Sequence, residues 1–138
     1  MAIPILQVFV ADDVNEDKLA PLRDAGITVI KETKLDDVAL AKRIKRVDGV
    51  IVRSATKITA DLMDKAECLR VIGRAGVGVD NIDVKAATQR GIVVMNAPDG
   101  NTITTAEHTI ALLVSMARNV PQTNAFIDAY GRHHRRRT

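Results

Sequence analysis

Between Val71 and Asn81 the chain reads Val-Ile-Gly-Arg-Ala-Gly-Val-Gly-Val-Asp-Asn, an apolar run that passes straight into a glycine-rich turn. Gly73, Gly76 and Gly78 are positions where the backbone can take positive φ without steric cost, which would let successive N–H groups converge on an anion. Arg74 stands within this stretch, and Arg53 follows the earlier apolar run Val50-Ile51-Val52. Each guanidinium is a planar fork suited to carboxylate or phosphate, while the amides of residues 75–79 can take a carboxylate without adding charge. The competing reading is a dinucleotide fingerprint. Set on Gly76 and Gly78, that pattern puts Asn81 where the third glycine belongs, and its acidic residue becomes Asp99, inside a Pro98-Asp99-Gly100 turn. The stretch is therefore read as an anion-binding turn.

The elements that must carry these residues alternate. Gln7–Ala11, Ile27–Ile30, Val50–Val52, Leu69–Ile72 and Ile92–Met95 are apolar runs of strand length. Asn15 is a plausible N-cap for a helix with Leu19 and Leu22 on one face and Gly26 as its stop; Leu35, Val38, Ile44 and Val47 mark a second helix. Thr59 and Asp83 can cap two more, the latter ending at Gly91. Strands this apolar, separated by helices, predict an α/β fold with a doubly wound parallel sheet covered on both faces. Such sheets hold ligands at their carboxyl edge, where Arg53 and Arg74 lie. Thr104-Thr105-Ala106-Glu107 has the spacing of a capping box, and Ile110, Leu113, Val114 and Ala117 follow as an apolar stripe expected to be mostly core. Pro121 fits the first turn of a continuing helix, leaving residues 123–130 helical or frayed.

Composition narrows the function classes. Of 138 residues one is cysteine, Cys68, expected as a half-buried residue at a helix end, so no disulfide framework exists and a reducing cytoplasm is the expected compartment. No apolar run approaches the roughly 18 residues of a membrane span, and residues 1–10 lack the cationic start of a signal peptide. The net charge of +3 belongs to Arg132, Arg135, Arg136 and Arg137; the rest of the chain is slightly acidic. That tail has no interleaved aromatics or groove-reading helix, so no nucleic-acid partner is expected, and His133 and His134 lack partners at metal-ligand spacing.

Three blocks carry a resemblance: Arg53-Ser54-Ala55-Thr56, then Gly73-Arg74-Ala75-Gly76-Val77-Gly78-Val79-Asp80-Asn81, then Val94-Met95-Asn96-Ala97-Pro98 with Thr105-Ala106-Glu107-His108. Together they resemble the substrate-binding domain of the D-2-hydroxyacid dehydrogenases, over about residues 5 to 122. The resemblance implies a five-stranded flavodoxin-like sheet of order 2-1-3-4-5, and two segments: a substrate-binding domain at 1–122 and a basic tail at 123–138. It implies that Arg53 and Ser54 face substrate phosphate or carboxylate, that Arg74, Ala75, Gly76, Val77 and Gly78 hold the carboxylate and C2 oxygen, and that Asn96 braces the site or forms an Asx turn. Val77 would meet the nicotinamide end of NAD by backbone and apolar contact, where related sequences often carry threonine.

In that family NAD and the catalytic Arg, Glu and His belong to a cofactor domain. No residue here matches those three, so no catalytic residue and no metal is assigned, and NAD is not expected to bind this chain. His108 sits inside the predicted last helix and is not the catalytic histidine. The implied substrate is a small anion, 3-phosphoglycerate, oxidised by NAD in serine biosynthesis. The closing helix, with Val120, Phe126 and Ile127, is expected to drive homodimer formation. Two classes stay open: the substrate-binding half of a dehydrogenase, inactive alone, or a stand-alone flavodoxin-like module that binds an anion or a protein.

Overall fold

A computed structural model of the chain describes residues 5–135, with side chains described through Ala129. The tail residues Arg132, Arg135, Arg136 and Arg137, and His133 and His134, lie outside the described side chains. The chain divides into two compact units, one ending at Gly100 and the other starting at Asn101.

The first unit is a wholly parallel sheet of order β2-β1-β3-β4-β5, as expected. Its strands are β1 (Gln7–Val10), β2 (Thr28–Lys31), β3 (Gly49–Val52), β4 (Val71–Arg74) and β5 (Val93–Asn96), joined by α1 (Ala20–Asp24), α2 (Asp37–Ile44), α3 (Ala60–Asp64) and α4 (Val84–Gln89). The helix starts follow side-chain chemistry. Asp36, Thr59 and Asp83 each accept an amide of the first turn of α2, α3 and α4, and Gly26 and Gly91 end their helices at φ +80° and +68°. Asn15 caps a short 3-10 turn over Glu16–Lys18, and Leu19 then enters α1 as a buried residue.

Strand alternation divides the apolar side chains between two faces. Phe9, Val50, Val52 and Ile72 join Leu40, Ile44, Leu62, Met63, Ala86 and Ala87 of α2, α3 and α4 in the main core. Complete burial of a side chain such as Phe9 or Ile72 contributes roughly 1.5–3 kcal/mol. On the opposite face Val10, Val14 and Leu19 form a smaller cluster with Leu22, Val29 and Ile51. At β5, Val93 and Met95 are 57% and 59% exposed, and Met95 borders an apolar trough of about 380 Å3. Val38 departs from the expected stripe of α2. Leu40 and Ile44, four apart, share the buried face of α2, which turns Val38 outward.

The second unit comprises α5 (Thr102–Ala117) and α6 (Val120–Arg135), separated by Asn119 at φ +50°. The expected capping box is not used. Helical bonding already runs from Thr105 N–H to Asn101 O at 2.8 Å, so Thr104 lies inside the first turn, where a cap residue's extended backbone is unavailable. Nor is the stripe core: Ile110 and Leu113 are 61% and 67% exposed, because two helices alone cannot enclose it. Pro121 sits in the first turn of α6, whose helical bonds run on through the 123–130 segment. Cys68 is exposed in the loop after α3, correcting the expectation of half-burial.

Candidate functional site

The strand register brings the sequence-selected residues to one edge. Val52, Arg74 and Asn96 are neighbours across β3, β4 and β5, so Arg53 leaves the sheet one residue beyond Arg74's partner. The ladder continues into the loops: Ala75 N–H donates to Val52 O at 2.8 Å, and Ala97 N–H to Gly76 O at 2.9 Å.

The loop after β3 is held by its backbone. Asp12, buried just beyond β1, accepts the amides of Arg53 and Thr56 on Oδ2 at 2.5 and 3.2 Å and the Thr56 hydroxyl on Oδ1 at 2.7 Å. Arg53 is exposed, and its Nη1 donates to Asp13 O at 3.1 Å, leaving the rest of the guanidinium outward. Ser54 is exposed as well. Beside them opens a cavity of about 540 Å3 whose lining includes Lys34, Arg53, Ser54, Thr56 and Lys57. Lys34 and Lys57 have no ion-pair partner among the described residues. At the rim the Lys31 ammonium, bonded to Asp13 at 3.0 Å, holds that carboxyl below its ordinary range.

The loop after β4 does not form as the glycines suggested. None of Gly73, Gly76 and Gly78 has positive φ. Gly73 continues β4, where a Cβ would stand 3.6 Å from Ile51 Cγ1, an ordinary contact distance. Gly76 is small because the Arg74 guanidinium lies over it, and a Cβ there would overlap Nη1 and come within 3.0 Å of Cζ. At Gly78 a Cβ would stand 2.9 Å from Asp80 Oδ1. The Gly76 amide closes a tight turn onto Arg74 O at 2.8 Å, and Asn96 Nδ2 donates to Val77 O at 2.7 Å. Among the described residues the amides of Val77, Gly78 and Val79 have no partner. Three unpaired N–H groups beside a guanidinium suit a carboxylate. The exposed Asp80 carboxylate bordering the same turn repels an anion, a repulsion that the Arg74 guanidinium offsets.

Two residues of the site escaped sequence reasoning. Asp12 carried a signal, a carboxylate ending an apolar strand at the sheet's ligand edge. Asn81 stood as a failed glycine and as the end of the second resembling block, with no role of its own; it is buried, and its Nδ2 donates to Arg53 O at 2.7 Å and Thr56 O at 2.6 Å. His108 is exposed in α5.

The described residues do not fit a whole dinucleotide. The turn at Gly76 opens no helix, since α4 starts only at Val84, and the Ala86 amide in its first turn is already taken by Asp83 at 2.8 Å. Val77, in the Gly76 turn, is half exposed with a free amide. Among the described residues no cluster of His, Cys, Asp and Glu could hold a metal, and no helix is long and apolar enough to cross a membrane.

The chain is 47% identical over 119 residues to the D-3-phosphoglycerate dehydrogenase of Archaeoglobus fulgidus and 45% identical over 120 residues to that of Bacillus subtilis. These matches cover 86% and 87% of the chain, which spans 23% and 22% of those relatives. A crystal structure of a Thermus thermophilus protein superposes with a TM-score of 0.77 at 36% identity, covering 88% of this chain and 40% of that one. The NAD+-bound 3-phosphoglycerate dehydrogenase of Entamoeba histolytica superposes with a TM-score of 0.70 at 34% identity, covering 81% and 39%. A sequence profile matches residues 8–136, and by it the chain belongs to the D-isomer specific 2-hydroxyacid dehydrogenases, within their catalytic domain.

Proposed function

We propose that this chain is the substrate-gripping part of an NAD-dependent D-3-phosphoglycerate dehydrogenase, the enzyme that opens serine biosynthesis in the cytoplasm. The observation that carries this reading is the pairing of two adjacent loops at the carboxyl edge, one with Arg53 and the other with Arg74 and three unpaired amides. Neighbouring strands are about 4.8 Å apart, so a three-carbon phosphorylated acid reaches from one loop to the next. Its carboxylate is assigned to the Val77, Gly78 and Val79 amides with Arg74, and its phosphate to the cavity at Arg53, Ser54, Lys34 and Lys57. Ala75 and Gly76 shape the turn beneath the carboxylate, and Asn96 fixes the Val77 carbonyl.

In the whole enzyme NAD supplies the hydride acceptor. This chain's residues bind and orient the hydroxy acid; none of those described is placed to take the hydroxyl proton. Val77 offers the nicotinamide an apolar edge and no side-chain hydrogen bond. We further propose that the exposed apolar residues of α5 and α6, Ile110, Leu113, Phe126 and Ile127 among them, are covered in a homodimer.

The test is a titration of the isotope-labelled chain with 3-phosphoglycerate. With both loops open to water the charge contacts are screened, and the expected Kd is in the millimolar range, on the order of 4 kcal/mol. Amide signals of residues 75–79 and 53–57 move, and Arg53→Ala weakens the response. Shifts confined to residues 130–138 would overturn the reading.

A further inference from the structure

The two loops of the site leave the sheet together and rejoin it together. They diverge after the Val52–Arg74 pair and meet again at the parallel bridge between Ile58 and Ile82. There Ile58 N–H donates to Asn81 O at 2.9 Å and Asp83 N–H to Ile58 O at 3.0 Å. Inside that closed pair of loops the side chain of Asn81 crosses from one to the other. Both protons of Nδ2 are used, one on Arg53 O and one on Thr56 O.

The same two residues are held from the far side. Arg53 and Thr56 give their amides to Asp12 while their carbonyls accept from Asn81. A peptide segment whose donors and acceptors are both fixed by buried side chains has little freedom to shift, and the origin of the Arg53 side chain is thereby set relative to the Gly76 turn. Asn81 Oδ1 is buried with no hydrogen-bond partner. An orphaned acceptor is a cost, so what the site uses at this position is the two donors.

Resting on the proposed substrate reading, we infer that Asn81 is a positioning residue: it sets the spacing between the Arg53 loop and the Gly76 loop, and so the length of anion that both can hold at once. Asn81 touches no substrate in this assignment; it acts through Arg53.

The experiment compares the wild-type chain with Asn81→Leu, which keeps the branching at Cγ but has neither donor nor acceptor, and with Asn81→Ser, which keeps one donor. Without ligand, hydrogen exchange at the Arg53 and Thr56 amides is expected to rise at least tenfold in Asn81→Leu and less in Asn81→Ser, while the Phe9 and Ile72 amides keep their protection. Affinity for 3-phosphoglycerate falls about tenfold in Asn81→Leu. Combined with Arg53→Ala it falls no further, because both changes remove the same contact. Losses that multiply in the double variant, or unchanged exchange at Arg53 and Thr56 in a folded Asn81→Leu chain, would overturn the inference. Should Asn81→Leu fail to fold, the comparison of Asn81→Ser with wild type decides by the same two readouts. A wild-type chain that does not bind 3-phosphoglycerate sinks the substrate reading instead, and the exchange data still decide whether Asn81 holds the loop.

Discussion

Gly76 lies directly beneath the guanidinium of Arg74, so close that any side chain at 76 would occupy the space of Nη1. Because the φ of Gly76 is not positive, alanine is compatible with the backbone there, and the atoms in its way are the far end of a flexible side chain. Gly76→Ala is therefore expected to leave the melting temperature within a few degrees of wild type, since its effect on stability stays within about 0.5 kcal/mol. It displaces the Arg74 guanidinium, whose buried Nε has no partner to hold it. Affinity for 3-phosphoglycerate should fall about tenfold, roughly 1.4 kcal/mol, measured by titration alongside thermal melts. A large loss of stability would show that the glycine serves the fold and not the position of Arg74.

Asp48, at the opposite edge of the sheet, gathers three donors: the amides of Leu6 and Gln7 at 2.9 and 3.0 Å on Oδ2, and the Arg70 guanidinium at 2.9 Å on Oδ1. The backbone hydrogen bond from Leu6 leads the effects that hold its carboxyl below the ordinary value of 3.8. A depressed folded value means a contribution present in full above the unfolded value and lost as pH falls through the folded one. Asp48→Asn should destabilise the chain by about 1–2 kcal/mol at pH 7. In denaturant titrations the gap to wild type should close as pH drops below about 3.8. A gap that widens in acid would refute the assignment.

The proposed homodimer rests on the exposed apolar residues of α5 and α6. Sedimentation at several protein concentrations is expected to reveal a dimer that strengthens toward about 0.5 M salt, where the Debye length falls well below 10 Å and the arginine tails repel less. Leu113→Glu should return the chain to a 15.0 kDa monomer. A dimer that dissolves with salt would point to ion pairs in place of the apolar surface.

Hydride transfer needs a base for the hydroxyl proton, and none of the described residues at the carboxyl edge is placed as one. The chain by itself is expected to give no measurable reduction of NAD with 3-phosphoglycerate, and NAD alone should leave the residue 77–79 amides unmoved. Turnover within about a hundredfold of an ordinary enzyme's roughly 10 per second would reject this.

Much of the fold was legible in one dimension because its determinants are local. The strand runs, the caps Asp83 and Thr59 and the stops Gly26 and Gly91 each act within a few residues. The sheet edge that collects Arg53, Arg74 and Asn96 follows from strand ends alone. Three misreadings came from features whose meaning depends on their surroundings in the fold and not on spacing alone. Thr104 has a cap's spacing, yet Asn101 had already begun the helix. The stripe of Ile110 and Leu113 has the period of a buried face, but burial requires a surface to cover it.

Gly76 is the third, and it marks the boundary most clearly. The sequence determined that residue 76 must be small and that an arginine stands two places before it; whether the reason was backbone conformation or space was decided only when the loop folded Arg74 back over it. Asn81 and Asp12 were decided wholly by tertiary structure. Their partners, Arg53 and Thr56, lie 25 to 44 residues away, and no local pattern records which buried polar group will meet which backbone once parallel strands are brought side by side.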